Sequence, residues 1–321
     1  MRVRSSCVAA RFASSVIPML LRHLRYFTAL ARERHFARAA AACNISQPTL
    51  SGALASLEAE LGTRLVVRGR RFLDLTPEGR LVLDGALQLL RDEDILRQGL
   101  QGLRGGLTGV LRLGVIPAAM PIVGMLVEPF CASHPAARVE IRSMSSKVIE
   151  DDLTNFELDA GLTYLDNEPL TGVRRIPLFL EHYLFATATT NPLADRRQIS
   201  WREAAGQRLC LLSDDMQNRR ILNGVFALQQ ADIRPDVVSN SFLAILSQLR
   251  TGGWSSIVPH SFAHLFGEQR DVALIPLVEP LHLQSIGLVT SDREPAPPMA
   301  RALEACARSV DFSVITAAVD R

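Results

Sequence analysis

Apolar residues near the N-terminus recur every three or four positions, the period of a helix buried on one face. Leu21, Leu24, Phe27, Leu30 and Ala31 predict a first short helix. The alanine-rich run Phe36 to Cys43 predicts a second, whose small side chains permit close packing. Asn44 is a turn residue that tolerates a left-handed backbone. Ser46 then reads as an N-cap with Pro48 just inside, opening a third helix from about Gln47 to Leu61. Leu50, Leu54, Leu57 and Leu61 form its stripe, and Gly62 ends it. Helix, tight turn, helix is the grammar of a helix-turn-helix. Leu65 to Val67 and Phe72 to Leu75 predict two short strands around Arg68-Gly69-Arg70, a hairpin wing.

Thr76 caps the next helix, Pro77 starts it, and it reaches roughly Leu103. Val82, Leu89, Leu96 and Leu103 repeat every seven residues, with Ala86 and Leu100 between them and Glu93 as a break. That ladder predicts a short helix pair between two subunits. The alternative is a helix packed on its own domain, which a second stripe of Leu83, Leu87 and Leu90 serves. Gly105-Gly106 and Gly109 mark a linker, and beyond it strands alternate with helices. Val110 to Val115, Val139 to Arg142 and Leu158 to Thr163 read as strands, with helices to about Ser133 and over Lys147 to Asn155. Further strands are expected near Arg175 to Ala186, Leu209 to Leu212, Ser256 to Val258, Val272 to Leu277 and His282 to Thr290. Helices are expected at Asn218 to Gln229, Phe242 to Thr251 and Pro298 to Val310. This alternation predicts α/β architecture with a mostly parallel sheet.

Composition adds one thing the pattern does not show. The 321 residues carry a formal charge of only +2, but the charge is unevenly divided. Residues 19–80 hold ten Arg against five acids, a balance of +5, whereas residues 109–321 hold 19 basic and 24 acidic residues, a balance of −5. A basic helix-turn-helix on an acidic body is the electrostatic footprint of DNA binding. No apolar run is long enough to span a membrane; the best stretch, Val115 to Val127, contains Pro117 and Pro121. The five cysteines, Cys7, Cys43, Cys131, Cys210 and Cys306, show no C-x-x-C spacing and read as reduced cytosolic thiols. Residues 1–18 carry three Arg and no acid; a transit-like reading competes with a disordered or mis-assigned extension before Met19, and the latter is preferred.

HLRYFTALARERHFARAAAACNISQPTLSGALASLEAELGTRLVVR followed by LTPEG resembles the DNA-binding head of LysR-type transcriptional regulators. The AA-x5-SQPTLS core, with ELG-x-RL and LTPEG at family spacing, makes the resemblance specific, and it covers about 290 residues from Met19 to roughly Phe312. It implies an α+β multidomain chain: a winged helix-turn-helix over 19–76, a linker and dimerisation helix over 77–108, and an effector domain over 109–321. The effector domain is expected to have the two-lobed fold of type II periplasmic binding proteins, lobe I about 110–180 and 280–312, lobe II about 181–279. The resemblance implies DNA contacts from Ser46, Gln47, Pro48, Thr49 and Ser51 at the start of the recognition helix, and from Arg64, Arg68, Arg70 and Arg71 at the wing. The plainer roles are capping by Ser46, helix initiation by Pro48 and solvated surface for each Arg. Gly52 stands where the family usually has Arg, so one contact is missing.

By position in the family pattern, an effector cleft is expected to be lined by Ala118, Ser145, Ser146, Thr163, Tyr164, Gln217 and Asn218. The plainer alternatives are helix capping for the two serines, core packing for Tyr164 and, for neighbouring Arg219 and Arg220, surface salt bridges. Gly253-Trp254-Ser255-Ser256 occupies the usual Gly-x-Gly turn of the family, where Trp254 is unusual and either narrows the cleft or packs between lobes. No nucleophile elbow, H-E-x-x-H or phosphate loop appears, so an enzyme is not expected, nor a cofactor or metal. The expected protein is a cytoplasmic homodimer or homotetramer that binds promoter DNA and RNA polymerase under control of a small effector. FELDAGLTYLDNEPL and DMQNRR resemble regulators beside formate dehydrogenase operons, which suggests formate or another small carboxylate. The rivals are a solute-binding protein and a peroxide-sensing regulator; the latter needs paired cysteines in the second lobe, where only Cys210 lies.

Overall fold

The computed structural model describes residues 21–68, 72–266, 271–292 and 294–316. The expected extension over 1–18 and the wing residues Arg70 and Arg71 lie outside the described residues. The chain forms two compact units, one up to Glu93 and one from Asp94.

In the first unit α1 (Leu21–Glu33), α2 (Phe36–Ala42) and α3 (Gln47–Leu61) precede a hairpin of β1 (Val66–Arg68) and β2 (Phe72–Leu75), and α4 (Pro77–Gly105) begins behind it. Asn44 takes the left-handed conformation at the turn (φ 53°). Ser46 caps α3, its Oγ accepting from the Thr49 N–H at 3.3 Å. Leu24, Phe27, Leu30, Leu50, Leu54, Leu57 and Leu65 close the core. Leu61 differs from expectation: it is 37% exposed, at the last residue of α3. Glu58 ties α3 to the wing, its Oε1 accepting from the Leu65 N–H at 2.9 Å.

The heptad ladder on α4 is split. Val82, Ala86, Leu83 and Leu90 pack on the core of the first unit, and Glu93, the break in the ladder, pairs with Arg25 of α1 at 2.6 Å. Leu89, Leu96 and Leu100 face solvent, 44%, 63% and 54% exposed. One helix therefore serves its own domain with one stripe and leaves the other open to solvent.

The second unit starts with β3 (Gly109–Val115), a short 3-10 helix (Pro117–Ile122), α5 (Val123–Ser133), β4 (Ala137–Ser143), α6 (Ser146–Thr154) and β5 (Ala160–Tyr164). Next come β6 (Val173–Glu181), β7 (Tyr183–Ala188), β8 (Ile199–Ser200), α7 (Trp201–Ala205), β9 (Cys210–Leu212), α8 (Gln217–Leu228) and β10 (Val237–Ser239). The chain ends in α9 (Phe242–Leu249), β11 (Ser255–Pro259), α10 (Ser261–Phe266), β12 (Val272–Val278), β13 (Gln284–Ser291), α11 (Pro298–Ser309) and α12 (Ser313–Thr316). Two sheets form, ordered β4-β3-β5-β13-β6 and β11-β7-β12-β8, with the pair β10-β9 joined to the second by a bridge between Leu209 and Ser255.

The sheets are mixed, not mostly parallel. β3, β4 and β5 run parallel, but β13 is antiparallel to β5 and β6, and β7 is antiparallel to β11 and β12. The cause is the crossing of the chain between sheets. The run expected as one strand over Arg175 to Ala186 is two: β6 leaves the first sheet at Glu181 and β7 enters the second at Tyr183. β12 and β13 make the return, so each sheet receives strands arriving from the other lobe.

Gly79 shows how closely α4 approaches the wing. A Cβ there would lie 2.0 Å from the Leu65 carbonyl oxygen, a backbone atom that also accepts the Thr76 N–H at 3.0 Å and cannot swing aside. Gly79→Ala is expected to destabilise the first unit by about 1–3 kcal/mol through overpacking. Urea melts comparing it with half-buried Gly99, where a Cβ meets nothing within 4 Å, check this.

Candidate functional site

The first unit presents the start of α3 to solvent. Gln47, Pro48 and Thr49 are exposed and Ser51 is half-buried. Ser46 and Thr49 share a hydroxyl hydrogen bond of 2.8 Å in addition to the cap, so both serve helix initiation on the face they present. Gly52 is exposed with nothing within 4 Å of a built Cβ, which leaves that stretch of the face flat. Arg64 is exposed at the base of the wing, while its carbonyl accepts from the Thr76 hydroxyl at 2.6 Å. The Arg68 side chain lies outside the described residues, as do Arg70 and Arg71.

The second unit gathers most of the expected effector residues around one small cavity of about 10 Å³, room for a single water-sized group. Ala118, Ser145, Ser146, Tyr164, Gln217 and Asn218 line it, with Pro117, Leu212 and Met216 among the apolar walls. Thr163 does not line it. It is fully buried one residue earlier on β5, on the opposite face of the strand, with its hydroxyl unpartnered.

Two helix N-termini meet at this cavity. Ser145 caps α6 through its Oγ, which accepts from the Val148 N–H at 3.4 Å. α6 rests close on β5 because Gly161 has no side chain; a Cβ would lie 2.4 Å from Ile149. The N-cap of α8 is Met216, whose side chain accepts no hydrogen bond, so the first amides of α8 depend on other partners. Ser146 and Asn218 are 3% and 4% exposed, yet Ser146 Oγ and Asn218 Oδ1 have no partner. Buried polar atoms are normally paired, so these two mark a place for a ligand or an ordered water.

Gln217 donates to the Asp166 carbonyl at 3.2 Å, and Arg220 grips Glu168 through two hydrogen bonds of 2.7 and 2.8 Å. Both contacts fasten the first turn of α8 to the loop after β5 and so close the cavity between the lobes. Arg219 is not a surface residue: it is 6% exposed and donates to the Leu212 carbonyl at 2.8 Å. Trp254 lies outside the cavity, under the Arg208 guanidinium at 4.0 Å.

Beneath the cavity lies a polar cluster that the sequence reading missed. The Tyr164 hydroxyl donates to Glu181 Oε1 at 2.8 Å and accepts from Asn218 Nδ2 at 2.9 Å. Glu181 is fully buried, and desolvation pushes its carboxyl up to about 8 although the Tyr164 hydrogen bond favours the charged form. The Tyr183 hydroxyl lies nearby without a hydrogen bond of ordinary geometry. His260 stacks on His182 at 3.9 Å, and its Nδ1 accepts from the His182 N–H; burial lowers it to about 3. No cysteine lines the cavity. Cys210 is buried on β9, where desolvation raises its thiol to about 11.

Residues 21–80 match the family described as bacterial regulatory helix-turn-helix protein, lysR family, and residues 104–311 match the LysR substrate binding domain. The chain belongs to the LysR family of transcriptional regulators. It is a DNA-binding regulator and not an enzyme, and the DNA-binding head sets aside the solute-binding reading. This LysR-type protein is 29% identical over 276 residues to the DNA-binding transcriptional dual regulator OxyR of Escherichia coli K12, covering 84% of this chain and 89% of that one. A probable hydrogen peroxide-inducible genes activator of Mycobacterium avium is 30% identical over 270 residues, covering 83% and 86%. A full-length cysteine-to-aspartate variant of OxyR from Pseudomonas aeruginosa has a similar structure, with a TM-score of 0.72, 26% identity and coverage of 92% and 95%. Among the described residues, no helix of the regulator is long and apolar enough to cross a membrane.

Glu181 gives the regulator a defined pH response. Its folded value near 8 lies above the ordinary 4.5, so its share of stability is present at low pH and lost as pH rises toward 8. His260 has the opposite sign, its folded value near 3 lying below 6.5, so its share is lost as pH falls below 6.5. Between pH 6.5 and 8 only Glu181 of the two acts, with a slope of up to about 1.4 kcal/mol per pH unit. Urea unfolding should show stability falling over that window, and Glu181→Gln should flatten the fall.

Proposed function

We propose that this LysR-type regulator reads promoter DNA with the first turn of α3 and the wing, and that a small carboxylate in the cavity at the starts of α6 and α8 controls this binding. The observation that carries the effector half is the pair of unpartnered buried atoms, Ser146 Oγ and Asn218 Oδ1, at two converging helix N-termini. Helix N-termini favour negative charge, and the free first-turn amides and the Ser146 hydroxyl donate to it. The cavity as it stands has room for one water-sized group, so in this reading a carboxylate enters as the starts of α6 and α8 move apart. Formate is the smallest member of the class, but the named relatives do not support it as the effector.

The DNA half rests on the exposed Gln47, whose amide has the geometry to pair with adenine, and on Thr49, whose methyl suits a thymine methyl. Arg64, with Arg68, Arg70 and Arg71, supplies phosphate contacts, so affinity falls steeply with salt. The open leucines Leu89, Leu96 and Leu100 on α4 form the seam of a homodimer, from which a tetramer and a contact with RNA polymerase follow in our reading.

A peroxide response is the second reading, favoured by the description of the relatives as hydrogen peroxide-inducible activators. The residues here favour it less. Oxidation needs a thiolate that peroxide can reach, and Cys210 is buried with its thiol raised to about 11. A thiol-based peroxide response in this chain would have to use one of the partly exposed cysteines, Cys43, Cys131 or Cys306 among the described residues, rather than Cys210.

One footprinting experiment separates the readings. Full-length protein on its target promoter should change footprint with small carboxylates, and Ser146→Ala should weaken that response about 10- to 100-fold, the loss of a hydrogen bond to a charged group. Hydrogen peroxide acting while all carboxylates are silent would select the second reading. Gln47→Ala should lose about 1–3 kcal/mol of discrimination at one base pair in binding titrations, leaving the salt slope unchanged.

A further inference from the structure

Three charged residues from three elements meet at the base of the wing. Asp74, on β2, accepts from Arg34 Nη2 at 3.2 Å, from Arg80 Nη2 at 2.9 Å and from the Leu75 N–H at 2.9 Å. Arg34 lies in the turn between α1 and α2, and Arg80 in the first turn of α4. The opposite strand is tied separately, by Glu58 of α3, which accepts from the N–H groups of Leu65 and Val66 at 2.9 and 3.4 Å. The approach to β1 is thus fastened to the recognition helix, and β2 to the α1–α2 turn and to α4.

The clamp sits where the hairpin bends. Val67 pairs with Asp74 but Arg68 pairs with Phe72, so Leu73 is an extra residue on β2. A bulge of this kind bends the strand and re-aims its side chains. The chain that joins the two strands across it carries Arg70 and Arg71 beside Arg68.

Stability does not account for the clamp. The side chains of Arg34, Asp74 and Arg80 are 64%, 43% and 62% exposed, and ion pairs so exposed add little to folding. Arg34 also holds a left-handed backbone, φ 50°, which glycine adopts without steric cost. Raw affinity for DNA does not account for it either. Asp74 is the single acid of the hairpin, and a carboxylate beside a phosphate backbone is repelled. The Leu75 N–H, with Arg80 and Arg34, holds its carboxyl below the usual carboxylate range, so the charge persists at neutral pH. The remaining role is geometric: one carboxylate sets where the wing stands relative to the helices.

We propose that Asp74 is a positioning residue for DNA recognition, holding the wing through Arg34 and Arg80 at a fixed offset from the start of α3, so that phosphate contacts by the wing and base contacts by α3 engage one register of the duplex together. This rests on the reading of α3 and the wing as the surface that touches DNA. Phosphate contacts fix orientation and base contacts carry sequence. Without the clamp each surface still meets DNA, but the wing no longer sets where α3 meets the bases. Specific binding then falls and non-specific binding does not.

The test titrates full-length protein against two duplexes, one selected from a random pool by the wild-type chain and one scrambled. Asp74→Asn should bind the selected duplex about tenfold or more weakly, the discrimination of one base contact, while its affinity for the scrambled duplex stays equal or rises. A purely structural loss lowers both affinities in parallel. Arg34→Gly suits the left-handed turn, so its melting temperature should stay equal or rise while the ratio of the two affinities falls at least about threefold. A ratio unchanged in either variant overturns the proposal. Gln47→Ala on the same duplexes tests the reading beneath it. A ratio lowered in Gln47→Ala but not in Asp74→Asn overturns the clamp and keeps α3 as the reading helix. A ratio unchanged in Gln47→Ala overturns the assignment of base contact to Gln47, and with it the coupling proposed for Asp74.

Discussion

Glu181 ends the strand that leaves the first sheet, and Tyr183 begins the strand that enters the second, so a single buried carboxyl stands where the two lobes are joined. Taking a carboxylate out of water is costly unless it is paired or neutralised. Here Tyr164 of the first sheet donates to it, and desolvation keeps it near neutrality in the physiological range. The same Tyr164 hydroxyl then accepts from Asn218, at the start of α8 in the second lobe. Three residues from three elements thus fix the end of β5, the crossover and the first turn of α8 relative to one another. The cavity is the space that this arrangement leaves unfilled.

That constraint explains why the cavity carries unpaired polarity. Asn218 spends its amide nitrogen on Tyr164, which leaves its oxygen without a partner. Ser145 spends its hydroxyl on capping α6, which leaves Ser146 as the free hydroxyl. Met216, an apolar residue, occupies the cap position of α8, where a serine or aspartate side chain would satisfy the first amides. A fold selected only for stability would fill these positions with self-satisfying residues; leaving them open is the usual signature of a site kept for something else.

The head was largely legible in the sequence because its signals are local. Asn44, Ser46 and Gly62 declare turn, cap and stop within the segments they govern, and the leucine stripe of α3 needs no distant partner to be read. The cavity residues were legible for a related reason: Ser145, Ser146, Gln217 and Asn218 open helices, and Tyr164 ends a strand, positions that parallel strand–helix units bring to one end of a sheet. The rest depends on tertiary approach. Nothing within Arg175 to Ala186 marks where a strand leaves one sheet for the other, so the run reads as one strand where two exist, and nothing in it singles out Glu181. β8, two residues long, has no period to detect. The apolar side of the cavity, Met216 and Leu212, carries no sequence signal at all, since a methionine lining a ligand reads the same as one filling a core.

The relatives and this chain together separate fold from sensing chemistry. Similarity to peroxide-inducible regulators extends over more than four-fifths of the chain, but a shared scaffold does not transmit a shared trigger. A thiol trigger depends on one group with a lowered pKa in an accessible place. On β9 the opposite holds, because Cys210 is buried in the hydrophobic core and desolvation disfavours its thiolate. What these residues do build is a closed, polar-headed cavity at the junction of two lobes. Such a cavity transmits information by differential binding: a ligand that touches both lobes stabilises the arrangement it fits, by a coupling of about 1–3 kcal/mol in typical cases. Reversible occupancy rather than oxidation of Cys210 is the use we propose for this site, because its lining carries unpaired polar atoms and no cysteine.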